Sequence, residues 1–117
     1  MQFICYERCS TCRKARAWLE EHGVEAEVRP IREDNPTYEE LDSWSRESGL
    51  PLSRFFNTSG QQYRALGLKD RLPGMSREEQ LRLLSSDGML VKRPLLIGQG
   101  VVLVGFRPEQ WGQALGV

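Results

Sequence analysis

The spacing of Cys9 and Cys12 is the feature that most narrows what this chain can be. A short apolar run, Phe3-Ile4-Cys5-Tyr6, precedes the pair, and a helical pattern follows it. A run of that length and composition is what a fully buried strand looks like. Behind Cys9-Ser10-Thr11-Cys12, the residues Ala15, Trp18, Leu19 and His22 recur at helical spacing, and Gly23 is placed to end the helix in a left-handed cap. Val24, Ala26 and Val28 then alternate with Glu25, Glu27 and Arg29, the period of a strand with one wet face. Residues 2–31 therefore read as strand, helix, strand. A connection of that length between strands makes a parallel, right-handed crossover.

The middle of the chain changes character. Thr37-Tyr38-Glu39-Glu40 has the spacing of a capping box, with Leu41 and Trp44 on one face behind it and Gly49 as the stop. Ser76-Arg77-Glu78-Glu79 repeats the signal ahead of Leu81 and Leu84, and Gly88 ends that run. Between them, residues 52–56 and 61–66 read as short helical pieces, punctuated by Gly60, Gly67 and a Pro73-Gly74 turn. Strands return with Leu95-Leu96-Ile97, a Gly98-Gln99-Gly100 turn and Val101-Val102-Leu103-Val104, a hairpin signal. Arg107-Pro108-Glu109 then puts proline at a first helical position, with Trp111 and Leu115 free to pack back on the sheet. The order βαβ, helical insert, ββα predicts one α/β domain over residues 1–117, with a sheet core from 1–34 and 88–117 and a helical insert from 35–87. Trp44, Phe55, Phe56 and Trp111 sit beside leucines and read as core rather than as a set of ligand-binding rings.

Composition removes several classes of function. Sixteen basic and sixteen acidic residues cancel, so the electrostatic footprint of a nucleic-acid binder is missing. Apolar stretches fall far short of the ~20 residues that cross a bilayer, and no charged-then-apolar leader opens the chain, so a cytoplasmic location is expected. No glycine-rich phosphate loop follows a strand, which argues against a nucleotide or flavin cofactor. The three cysteines fall between Cys5 and Cys12, where loops are too short to gain much from a structural crosslink. In a reducing compartment such a cluster points to catalysis, redox sensing or metal binding.

A thiol must ionise to act as a nucleophile, and an unperturbed cysteine, with a pKa of about 8.5, is mostly protonated in the cytosol. Cys9 lies where a strand ends and a helix begins. Unsatisfied N–H groups and the helix dipole favour a thiolate there, and Arg8 and Arg13 add positive charge nearby. Cys12, one turn on, can reach Cys9 to form a disulfide. Two other readings compete. Both thiols could be small buried residues, or Cys5, Cys9, Cys12 and His22 could bind zinc, although His22 would lie at the far end of the same helix. Cys5 falls within the buried strand and reads as core, with a secondary reading as a backup thiol.

Cys9-Ser10-Thr11-Cys12-Arg13-Lys14-Ala15, Lys92-Arg93-Pro94 and Val104-Gly105-Phe106 together resemble the arsenate reductase (ArsC)/Spx family. So do Phe55-Phe56-Asn57-Thr58 and Leu66-Gly67-Leu68, and the resemblance covers almost the whole chain. It implies a thioredoxin-like (glutaredoxin-like) four-stranded mixed sheet with a helical insertion. It also implies that Cys9 is the nucleophile, with Cys12 as its resolving thiol, and that Pro94 is a cis-proline facing the thiol. Arg93 and Arg107 match arginines that hold an oxyanion beside the sulfur, and Arg13 of the motif joins them as a candidate. A planar guanidinium suits that task because it donates two parallel hydrogen bonds and keeps its charge. Two positions depart from the glutathione-dependent reductases, which carry serine in place of Cys12 and an arginine in place of Asn57. Two functions follow from the resemblance. One is an arsenate reductase-like thiol oxidoreductase with no bound cofactor or metal, restored by an external thiol such as glutathione with glutaredoxin, or thioredoxin. The other is a Spx-like redox-switched regulator that binds the α subunit of RNA polymerase.

Overall fold

A computed structural model describes residues 1–117. In chain order the elements are β1 (Gln2–Cys5), α1 (Ser10–Glu21), β2 (Glu27–Pro30), α2 (Tyr38–Ser48), α3 (Gln61–Ala65) and α4 (Leu68–Arg71). They continue with α5 (Arg77–Ser86), β3 (Leu95–Gly98), β4 (Val101–Val104) and α6 (Pro108–Leu115). Single turns of 3₁₀ helix at Leu52–Phe55, Leu72–Gly74 and Gly88–Leu90 fill the gaps. The chain divides into two compact units, one made of Met1–Pro30 and Arg93–Val117, the other of Ile31–Lys92.

The first unit is a mixed four-stranded sheet in the order β2-β1-β3-β4. β1 pairs parallel with β2, with Phe3 opposite Val28, and antiparallel with β3, with Ile4 opposite Leu95. β3 and β4 form the expected hairpin, closed by Gln99 and Gly100, both at positive φ as a two-residue turn of this hand requires. One face of the sheet carries α1 and α6. Phe3 and Cys5 of β1, Leu96 and Leu103 of the hairpin, Cys12, Ala15 and Leu19 of α1 and Trp111 of α6 form a single buried cluster. Trp111 has no exposed surface, and Phe3, Trp18 and Phe106 each meet its ring edge-on. Its Nε1–H donates to the Gly105 carbonyl at 3.0 Å, so the one polar atom of the side chain is satisfied inside the core.

β2 is shorter than the alternation from Val24 suggests. α1 ends in a double-bonded cap in which the Gly23 N–H donates to Glu20 O and the Val24 N–H to Leu19 O. The Val24 N–H is thus committed to closing the helix, and pairing with the sheet begins at the Glu27 N–H, which donates to Met1 O at 2.8 Å. Val24 and Ala26 still pack against the core cluster, which accounts for their spacing. His22 caps α1: its ring stacks on Trp18 at 4.1 Å, with Nδ1 2.8 Å from Trp18 O.

The second unit is mostly helical, with one isolated antiparallel bridge between Phe56 and Val91. Both anticipated capping boxes are present, Thr37 with Glu40 on α2 and Ser76 with Glu79 on α5. α2 and α5 are tied by Arg77, whose Nη2 reaches Asp42 Oδ1 at 2.8 Å and Ser45 Oγ at 2.7 Å. Trp44, Phe55 and Phe56 are buried here with Leu41, Leu81 and Leu84, as core rather than as an exposed aromatic set. The one-turn α4 has no counterpart in the sequence reading. It follows Gly67 at φ +62 and holds the buried Leu68, a single apolar position too short to show a period.

Gly88 marks the tightest approach in this unit. A Cβ built there would lie 2.0 Å from Ile31 O and 2.6 Å from Asn35 Oδ1, while Asn35 Nδ2 donates to Ser85 O at 2.6 Å. Gly88→Ala should therefore lower stability by ~1–3 kcal/mol, the range for overpacking a site that cannot give way. Gly74→Ala, where a Cβ meets nothing within 4 Å, should stay within about 0.5 kcal/mol of the parent. Urea unfolding of the two variants checks the contrast, and equal midpoints would contradict it.

Candidate functional site

β1 ends at Cys5, and the turn through Tyr6, Glu7 and Arg8 is closed by the Cys9 N–H donating to Tyr6 O at 3.0 Å. Cys9 is the N-cap of α1, with extended backbone (φ −86°, ψ 120°), and its carbonyl accepts the first helical bond from Arg13 N–H at 3.1 Å. An N-cap side chain faces the N–H groups two and three positions on, here Thr11 and Cys12. The neutral thiol makes no strict cap bond. Those N–H groups matter once the sulfur is charged.

The two thiols differ sharply. Burial opposes ionisation of Cys9, but the Cys12 N–H, the Cys12 thiol, the Thr11 N–H and the Arg93 guanidinium outweigh it and hold Cys9 below the ordinary thiol value. Burial pushes Cys12 the other way, up to about 12, although the Tyr6 N–H donates to its sulfur at 3.4 Å. The charge on Cys9 adds to that rise. Cys12 is 2% exposed, whereas Cys9 is half-buried. An accessible, ionisable sulfur thus sits beside a buried, protonated one, and the arrangement suits attack by the first and resolution by the second. All three cysteines are free thiols. Cys5 is raised by burial, with Arg16 opposing and Cys9 and Glu7 reinforcing.

Strand pairing brings the remaining candidates to the same end of the sheet. Ile4 pairs with Leu95 and Leu95 with Val104, so β1 stops where β3 starts and where β4 stops. Three connections meet there: the turn into Cys9, the Arg93-Pro94 step into β3, and the segment from Gly105 to Arg107 that enters α6. The Arg93–Pro94 peptide bond is cis, Pro94 is buried, and its carbonyl accepts the Gly105 N–H at 2.9 Å. Arg93 is half-buried, with its guanidinium carbon 5.2 Å from the centre of the Tyr6 ring, within the range of a cation–π contact. Arg107 is the exposed N-cap of α6. Arg8 and Arg13 are exposed, and the cation acting on the Cys9 sulfur is Arg93.

Tyr6 is the residue that sequence reasoning passed over. Its backbone holds the Cys12 sulfur and its ring lies under Arg93, so it touches both halves of the site. A backbone donor leaves no trace in residue identity; the only available signal was its place between strand and motif. No three His, Cys, Asp or Glu side chains converge in an arrangement that could hold a metal ion. No helix is long and apolar enough to cross a membrane.

Comparison with known proteins agrees with this geometry. The family model described as ArsC family matches residues 5–114. YusI of Bacillus subtilis, described as uncharacterized, is 52% identical over 111 residues, covering 95% of this chain and 94% of that protein. The global transcriptional regulator Spx 2 of Bacillus cereus is 26% identical over 102 residues, covering 87% of this chain and 76% of its own. Among solved structures, an ArsC family related protein from Bacteroides fragilis superposes with a TM-score of 0.93 at 52% identity, covering 96% of this chain and 94% of that one. A possible arsenate reductase from Streptococcus mutans does so with a TM-score of 0.84 at 47% identity, covering 91% and 90%. These neighbours share the mixed sheet with its flanking helices, the ArsC-like thioredoxin fold.

The inequality of the thiols has a direct readout. In the reduced protein, iodoacetamide should label Cys9 first, with a pH midpoint below that of a free thiol, while Cys12 resists labelling until strongly alkaline pH. Arg93→Gln removes a cation that favours the thiolate, so the Cys9 midpoint should rise and its labelling at pH 7 should slow. Peptide mapping of labelled protein across a pH series measures both, and an unmoved midpoint in Arg93→Gln would exclude that role for Arg93.

Proposed function

Because the chain belongs to the ArsC family, we propose that it is an arsenate reductase-like thiol oxidoreductase, with Cys9 as nucleophile and Cys12 as resolving thiol. The observation that carries the reading is the opposite displacement of the two thiols, Cys9 downward and half-buried, Cys12 upward and buried. The Cys9 thiolate attacks an oxidised centre, either one sulfur of a disulfide or the arsenic of an arsenate-like oxyanion. A bond forms to Cys9 and a thiolate, or water, departs. Burial is the main reason Cys12 is held protonated, and capping the Cys9 sulfur removes the smaller contribution of the Cys9 charge, which eases ionisation of Cys12 for the second step. Cys12 then gives up its proton and attacks the Cys9 sulfur. The substrate leaves with the electron pair, and a Cys9–Cys12 disulfide remains. Two electrons and two protons from an external thiol, glutathione with glutaredoxin or thioredoxin, restore the dithiol.

Arg93 and Arg107, with Arg13, are the cations we assign to an oxyanion or to the charge that develops on a leaving thiolate. They come from the β3 and α6 entries and from α1, and a planar guanidinium can donate two parallel hydrogen bonds to such a group. Pro94, which leads into β3, is assigned as the residue facing the thiol. The reading calls for no resident cofactor or metal, for a cytoplasmic setting in which a thiol pool keeps the pair reduced, and for no contact with nucleic acid or membrane.

A second reading is favoured by the relative named as a transcriptional regulator. There the same disulfide would switch binding to the α subunit of RNA polymerase instead of serving turnover.

In the enzyme reading, Cys9→Ser should abolish turnover with arsenate and with a small disulfide acceptor. Cys12→Ser should retain the first step and accumulate a mixed disulfide on Cys9, visible as a mass increment. Arg107→Gln should lower kcat/KM by about tenfold to a hundredfold, the value of one lost charge-assisted hydrogen bond. A wild-type protein inert toward both acceptors, yet retaining RNA polymerase from solution in only one redox state, would replace the enzyme by the regulator.

A further inference from the structure

Cys5 has no part in the chemistry so far, yet it belongs to the same buried cluster as Cys12 and lies on the face of β1 that α1 covers. Its distance from Cys12 is bounded by bonded geometry. The Tyr6 nitrogen, 3.4 Å from Cys12 Sγ, is bonded to the Cys5 carbonyl carbon. Cys5 Cα therefore lies within about 6 Å of the Cys12 sulfur, given standard backbone bond lengths. Its side chain points into the cluster that contains that sulfur. A Cα within that distance of the partner sulfur puts the two side chains within reach of a disulfide once they reorient.

We propose that Cys5 is a second partner for Cys12, so that the Cys9–Cys12 disulfide rearranges to a Cys5–Cys12 disulfide and sets Cys9 free again. The inference rests on the oxidoreductase reading, which supplies the first disulfide. In the exchange Cys5 loses its proton to solvent, its sulfur attacks Cys12, the Cys9–Cys12 bond breaks, and Cys9 leaves as a thiolate carrying the electron pair. No electrons enter or leave the protein, so no further oxidant or reductant is needed.

The chemistry favours this direction. In thiol–disulfide exchange the more acidic thiol is the better leaving group and the better stabilised free thiolate. Cys9 is held below the ordinary thiol value by the start of α1 and by Arg93, while burial raises both Cys5 and Cys12. The rearranged disulfide joins the two buried sulfurs, 8% and 2% exposed as residues, and returns the half-buried one to the surface. The oxidised protein would then store its disulfide in the core and keep a nucleophile exposed. That nucleophile can attack a second equivalent of a disulfide or oxyanion substrate before the stored disulfide is reduced.

The test is peptide mapping of fully oxidised protein after acid quenching and alkylation. Wild type oxidised by one equivalent of diamide should contain Cys5–Cys12 linked peptide with alkylated Cys9, and its iodoacetamide labelling at Cys9 should persist. Cys9→Ser, altered only at the half-buried position, should oxidise directly to Cys5–Cys12. Cys5→Ala should oxidise to Cys9–Cys12 alone and lose Cys9 labelling. Should Cys9–Cys12 be the sole disulfide of wild type while Cys9→Ser stays reduced, the rearrangement is refuted and the oxidoreductase reading stands. Absence of any intramolecular disulfide in wild type and in Cys5→Ala would overturn both.

Discussion

Two backbone N–H groups at the start of α1, those of Thr11 and Cys12, have no carbonyl of their own helix to meet, and they face the sulfur of Cys9. A helix must begin somewhere, and wherever it begins such donors are left over. Here the chain turns from β1 into α1 with a cysteine as the N-cap, so the leftover donors stabilise a thiolate instead of a neutral cap oxygen. Shifting the start of α1 by one residue would turn the sulfur away from these groups. The geometry of the strand–helix junction is therefore the condition on which the chemistry of the site rests.

What makes the junction useful is the difference it creates between sulfurs of the same kind. Cys9 stands at the mouth of the helix with Arg93 nearby, and Cys12 one turn later faces inward against Phe3, Leu96 and Trp111. Burial stabilises the neutral thiol of Cys12 as surely as the helix start stabilises the charged form of Cys9. The hydrophobic cluster thus does two things at once: it holds α1 and α6 on the sheet, and by burying Cys12 it keeps that thiol protonated. Cys5 belongs to that cluster as well, which is why a residue that looks purely structural acquires a chemical neighbour.

The Ile31–Lys92 unit is stabilised by more local means. Two capping boxes begin its longest helices, Arg77 ties α5 to Asp42 and Ser45 of α2, and the Phe55 carbonyl and Asn57 N–H pair with the Lys92 N–H and Leu90 carbonyl. The close approach of Gly88 to Ile31 leaves room for a hydrogen and nothing larger. Such contacts depend on a few residues each, and several of these residues announce themselves in the sequence because caps and glycine stops have fixed spacings.

Local rules reach a definite distance along this chain. The order of elements apart from the one-turn α4, both capping boxes, the proline at the start of α6, the hairpin after Pro94 and the place of Cys9 at the junction of β1 and α1 all follow from patterns within ten or so residues, and each could be read directly. The limits of β2 could not, because the Val24 N–H was claimed by the cap of α1, a three-dimensional competition between two partners for one donor. Nor could the roles of Tyr6 and Arg93. Arg93 reaches the ring of Tyr6 and acts on Cys9 only because antiparallel pairing of β1 with β3 lays distant segments side by side. The sequence alone determined which sulfur starts the helix, since that depends on neighbours in the chain; tertiary structure decided how acidic each sulfur is, since burial and charge depend on neighbours in space.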